Sequence, residues 1–185
     1  IPFYSNGTSM YTHDVSATDN TATGNTGYGF DTLKGVTTGD NNTAMGNDAG
    51  QLINSGSENV IIGSNAGDAM TSSSGNVAIG HLSLSTQQTH GTNTAVGYRT
   101  LATQNVGSFA YNVAVGYDAG QNINTGISNT ILGGLAGGNI TTGFSNTVVG
   151  RGAMGGAGNK TGGNNVVIGR DSGSLMTSAN TNVLI

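Results

Sequence analysis

Asp31, Asp48, Asp118 and Asp171 each follow a Gly by two residues, in GFD, GND, GYD and GRD. A shared frame could set carboxylates side by side, and a pair about 5 Å apart is what a retaining glycosidase uses. The other acids, Asp14, Asp19, Asp40, Glu58 and Asp68, are scattered. His81, Tyr98 and Tyr117 each come directly after a Gly, so the same frame would line them up. Rigid amphipathic rings flanked by amides suit a glycan platform, or they form a ladder that only stabilises neighbouring strands. His13, His81 and His90 have no metal-ligand spacing. One carboxylate per frame does not complete the six to eight oxygens of a calcium site.

That frame is a repeat. A pentad of Asn, Thr or Val, two mostly apolar residues and Gly starts at Asn25, Asn42, Asn59, Asn76, Asn93, Asn112, Asn129, Asn146, Asn165 and Asn182. The spacing is 17 residues except for 19 after Asn93 and after Asn146. A fixed period of this kind marks a solenoid and outranks local propensity. With Asn as position 1, the aspartates above sit at position 7 and the aromatics at position 6. Position 2 is always Thr or Val, position 4 is large and apolar, and the Gly at position 5 ends the strand. Small residues recur at position 8, and apolar ones at position 12 in most units: Val36, Ile53, Met70, Ile123, Ile140 and Met176. The pattern predicts an all-β parallel β-solenoid, or β-roll, of about ten coils, each with two short strands and two turns. Residues 1–24 lack the pentad and read as a cap or attachment segment; residues 25–185 form the solenoid.

Alternation along a strand puts positions 2 and 4 on one face and position 3 on the other. The larger side chains at position 4 argue that positions 2 and 4 face the core. Position 3 would then point outward: Ala44, Ile61, Ala78, Ala95, Ala114, Ile131, Val148, Val167 and Leu184, after Gly27. Such a stripe, about 45 Å long at one strand spacing per coil, predicts self-association, with position 3 at the axis of a parallel homotrimer, or of a dimer as the alternative. The position 1 Asn predicts a ladder of side chains bonded along the coil axis. The 19-residue units predict enlarged turns near 104–111 and 157–164.

Thirty-three Gly among 185 residues and 8% charged residues would suggest low complexity, but the β-branched residues hold a fixed phase. No Cys is present, so no disulfide framework exists. Five Lys and Arg and a net charge of −4 argue against a nucleic-acid partner. No apolar run reaches the roughly 18 residues of a membrane span, which argues against membrane insertion. Glycosylation patterns at Asn6, Asn41, Asn139 and Asn159 arise easily in an Asn- and Thr-rich chain. Without an initial Met the chain reads as processed or as a fragment, and the final NVLI stops mid-unit, which predicts a following segment.

The units NTAMGNDAG, NVAIGHLSL, NTAVGYRTL and NVAVGYDAG resemble the repeats of bacteriophage tail-fibre and related virion fibre proteins. They are also similar to the head repeats of trimeric autotransporter adhesins, where a comparable pentad builds a left-handed parallel β-roll trimer. The resemblance covers residues 25–185. It implies a structural fibre segment on a virion tail or cell-surface appendage. Its partners would be two further copies of itself, the fibre segments before and after it, and a host-surface glycan. A surface-glycan-binding adhesin head, with His81, Tyr98 and Tyr117 as the contact patch, is the near alternative. An ice-binding solenoid would need a flat Thr array, yet position 2 is Thr in only half the units and is expected to face inward. A polysaccharide depolymerase would need a carboxylate pair in a groove. Because the repeat itself explains the aligned aspartates, the sequence reads as a non-enzyme with no catalytic set, metal or cofactor.

Overall fold

The computed structural model describes residues 4–6, 9–12 and 21–185. His13, Asp14 and Asp19 lie outside the described residues, as does the Asn6 side chain. The chain is all-β, a solenoid of about ten coils whose strands form one 12-stranded sheet in sequence order. After β1 (Tyr4–Asn6) and β2 (Ser9–Tyr11), each coil adds one three-residue strand. These are β3 (Thr26–Tyr28), β4 (Thr43–Met45), β5 (Val60–Ile62), β6 (Val77–Ile79), β7 (Thr94–Val96), β8 (Val113–Val115), β9 (Thr130–Leu132), β10 (Thr147–Val149) and β11 (Val166–Ile168). The two-residue β12 (Val183–Leu184) ends the sheet. Pairing is parallel and keeps every pentad in register, as in Thr130↔Thr147 and Ile131↔Val148. Among the described residues only β1 and β2 pair antiparallel. The parallel pairing of β2 with β3 extends the sheet into the segment before residue 25. There Tyr11 is fully buried beside Gly27, whose missing Cβ leaves room for the ring.

The face assignment is the reverse of the one the sequence suggested. Position 3 is inside: Ala44, Ile61, Ala78, Ala95, Ala114, Ile131, Val148 and Val167 are buried in the chain's own core, and Leu184 packs against it partly buried. Positions 2 and 4 face outward. The reason is the Asn at position 1, which shares its face with position 3 by alternation. Each Asn from Asn25 to Asn165 at this position is buried, and the ladder it builds fixes which face is the core. Asn42 donates its backbone N–H and its Nδ2 to Asn25 Oδ1 at 2.8 and 3.0 Å, and a second Nδ2 hydrogen bond reaches Gly56 O across its own coil. Unpaired in so narrow an interior, these groups would each cost about 1–3 kcal/mol, so the ladder runs with few breaks.

The core cross-section is small, and in most coils size at position 3 trades against size at position 9, with Ala44 and Gly50, Ala114 and Gly120, and Val148 and Met154 as exceptions. Leu84 and Leu101 at position 9 face Ala78 and Ala95, whereas Ile61 and Ile131 accompany Gly67 and Gly137. A Cβ on Gly120 would lie 2.9–3.2 Å from the methyls of Leu101, Ile123 and Ile131. The second expected strand is absent. Residues at positions 7 and 9 take left-handed φ, for example Asp118 at 53° and Leu101 at 51°, so this side of the coil is a succession of turns. Its carbonyls still bond from coil to coil, as in Gly120 N–H to Ala136 O at 2.9 Å. In the first 19-residue unit the extra residues lie between Asn105 and Ala110, within the expected turn. In the second they lie between Gly155 and Lys160, overlapping the start of the expected segment, because Lys160 already pairs with Ile140 in a β-bridge.

Candidate functional surfaces

Three surfaces are built by this stacking. On the first, the outer face of the sheet, positions 2 and 4 of β3 to β11 present only Thr, Val and larger apolar side chains, with no charge. Tyr28, Met45 and Leu132 are about half exposed, at 47%, 50% and 49%. In the turns leading into β8 and the strands after it, Phe109, Tyr111, Ile127 and Phe144 are also exposed. His90, Phe109 and Tyr111 form a run of ring contacts at 5.9 and 6.0 Å. The apolar stripe expected of position 3 therefore exists, but positions 2 and 4 make it. The inward orientation expected of the Thr at position 2 is corrected with it.

The second surface is the position 6 corner. It brings together the three aromatics: His81 and Tyr98 lie 5.6 Å apart, and Tyr98 and Tyr117 stack at 5.1 Å with an 11° tilt. Arg99 sits 5.3 Å over the Tyr98 ring and clamps Asp118 on the next coil with two hydrogen bonds of 2.9 and 3.0 Å. Those bonds raise the Arg99 pKa above its ordinary value. Tyr98 and Tyr117 stack with an offset and each covers part of one face of the other, while Tyr117 stays 57% exposed. The free face of Tyr117 points toward the coil of Gly134, where position 6 has no side chain.

The aligned aspartates also find their reason here. Asp31, Asp48, Asp118 and Asp171 all hold φ between 52° and 56°, a conformation that Asp and Asn tolerate better than most residues. Each has its own partner: Lys34 for Asp31, Gln51 for Asp48, Arg99 for Asp118 and Arg170 for Asp171. Asp68 differs, since its Oδ1 is buried without a partner and burial pushes its carboxyl above the usual range. Among the described residues no group of three or more His, Asp or Glu is placed to hold a metal ion. His81 Nδ1 lies 2.9 Å from Ser64 O, and His90 Nδ1 3.3 Å from Thr89 Oγ1.

The third surface is a groove that the sequence reading missed. It has a volume of about 490 Å³ and crosses four coils. Its floor is the coils of Asn129 and Asn146, where Gly138, Gly152, Gly155 and Gly156 replace side chains present elsewhere. Asp118 and Gln121 wall one end, Asp171 and Ser174 the other, and Leu135 and Arg151 project within it. The signal was in the sequence as GGLAGGN followed by RGAMGGAG, two consecutive units that lose bulk at the same outward positions.

No family model matches the chain, and no match was found among the curated proteins or the solved structures.

Proposed function

We propose that this chain is a rigid structural segment of an extended fibre, three parallel copies packed about a common axis through the outer sheet face. The observation that carries this reading is the uncharged face of positions 2 and 4, which replaces position 3 as the contact surface. Nine strand steps make it about 45 Å long, and two side-chain columns with their flanks make it about 14 Å wide. That is about 600 Å², at the upper end of what monomers leave exposed and close to the roughly 800 Å² per partner of a stable interface. The exposed Phe109, Tyr111, Ile127 and Phe144 widen it. A parallel assembly suits a repeat, because the same residue type recurs at the axis on every coil, and cyclic symmetry closes the contact without side growth. The role is mechanical: continuous backbone ladders and a buried Asn ladder resist bending and proteolysis, and hold other fibre segments apart at a virion tail or cell surface.

Light scattering tests it directly. The wild-type chain is expected at the mass of three copies, and Leu132→Lys with Ile168→Lys at the mass of one. Both side chains are outward, so far-ultraviolet circular dichroism should not change. A wild-type mass of one chain would refute the assembly.

A further inference from the structure

We infer that the groove across the coils of Asn112 to Asn165 is a binding site for a saccharide that carries a carboxylate. It lies on the turn side of the coil, away from the sheet face, and does not depend on the assembly proposed above.

The shape comes first. The walls stand three coil steps apart, about 14 Å, and the two coils between them carry Gly138 and Gly155 where most other coils have a side chain. Gly138 is open: a Cβ there would meet only Leu135 O, at 3.4 Å. Coils elsewhere fill this position with Gln51, Asp68 or Gln121. The gap is thus a local departure from the repeat, and its volume of about 490 Å³ falls in the range of small-molecule sites.

The chemistry of the lining selects the ligand. The floor is backbone and amide, so it offers hydrogen bonds to hydroxyls. Leu135, held at φ 60° and 41% exposed as a residue, supplies one apolar contact suited to the C–H face of a pyranose. A lipid or aromatic ligand would find no further apolar wall. Both carboxylates of the rim are already neutralised, Asp118 by Arg99 and Asp171 by Arg170. Arg151 makes no ion pair with a described residue. The uncompensated charge of the groove is therefore positive and fork-shaped, which matches a carboxylate. A uronic acid unit combines the flat ring, the hydroxyls and the single anion.

The experiment is an NMR titration of the isotopically labelled full chain with tri-galacturonate, and in parallel with the neutral trigalactose. The site predicts shift changes centred on Leu135, Gly138, Arg151 and Gly155, and at least tenfold weaker binding of the neutral sugar. Arg151→Gln should reduce tri-galacturonate affinity at least tenfold and leave that of the neutral sugar unchanged. Gly138→Gln, which restores the residue found at this position in two other coils, should abolish both while the remaining spectrum stays in place. Equal binding of the two sugars, shifts centred elsewhere or no shifts at all would overturn the inference. Light scattering on the same samples reports assembly separately, so failure of one reading leaves the other intact.

Discussion

The two 19-residue coils absorb the same insertion in opposite ways. In the coil of Asn93 the extra residues go outward: a Cβ on Gly107 would meet nothing within 4 Å, and Phe109 is 54% exposed. Asn93 Nδ2 bonds neither to Asn76 Oδ1 nor to a carbonyl of its own coil, and takes Gln87 Oε1 of the preceding coil at 3.3 Å. Asn112 Nδ2 keeps the regular bond to Gly126 O but turns to Gln104 Oε1 at 3.0 Å in place of Asn93 Oδ1. Two buried Gln thus stand in for part of the ladder, at the cost of a Gln104 Nε2 with no partner. In the coil of Asn146 the ladder stays whole: Nδ2 reaches Asn129 Oδ1 and Gly162 O, both at 3.0 Å. The extra residues fold over Lys160, which is fully buried and donates from Nζ to the carbonyls of Gly156, Ala157, Gly158 and Ser174. An insertion is accommodated where the Asn ladder survives or where buried amides replace it.

If that is so, removing the Asn should hurt the two coils unequally. Asn146→Ala deletes bonds to Asn129, Gly162 and both donors of Asn165, and is expected to cost about 3–5 kcal/mol in urea unfolding. Asn93→Ala loses only the bond to Gln87 and the acceptor of Asn112 N–H, and should cost about 1–3 kcal/mol. Equal losses would break the comparison.

Lys160→Met comes next, about 1–3 kcal/mol, because it strands carbonyls beneath the excursion. It also carries a pH signature. Burial lowers the Lys160 pKa below its ordinary 10.5, so between the two values the unfolded chain binds more protons. Stability should therefore rise with pH through that window, and the rise should be missing from the Met variant. Identical pH profiles for the two proteins would contradict the buried ammonium. The smallest effect belongs to Gln104→Leu. It removes an unpartnered buried Nε2 and leaves Asn112 Nδ2 bonded to Gly126 O, so thermal unfolding should register a change within about 1 kcal/mol.

Much of this architecture was legible in the sequence because a repeat reports phase. The period set the strand register, the invariant Gly set the corner (Gly46 has φ 138°), and the invariant Asn announced a ladder along the coil axis, though not its burial. Orientation was misjudged by weighing side-chain size at position 4 above the polarity at position 1, although Asn59 and Ile61 share a face by alternation alone. The left-handed run at positions 7 and 9 was hidden because Leu84 and Leu101 take it against their propensity, offset by full burial. Of the surfaces, the aromatic stack of His81, Tyr98 and Tyr117 followed from phase. The groove did not, since it consists of side chains that two coils lack.

The outward face of positions 2 and 4 as an assembly surface is the claim on which the functional account turns, and the absence of Cys allows it to be probed with one label. A spin label on Thr130→Cys, at the centre of the sheet face, is compared by electron paramagnetic resonance with one on Asn54→Cys in the opposite turns. The account predicts strong dipolar broadening at 130, relieved on dilution with unlabelled chain, and a narrow spectrum at 54. A narrow, dilution-independent spectrum at 130 would contradict it.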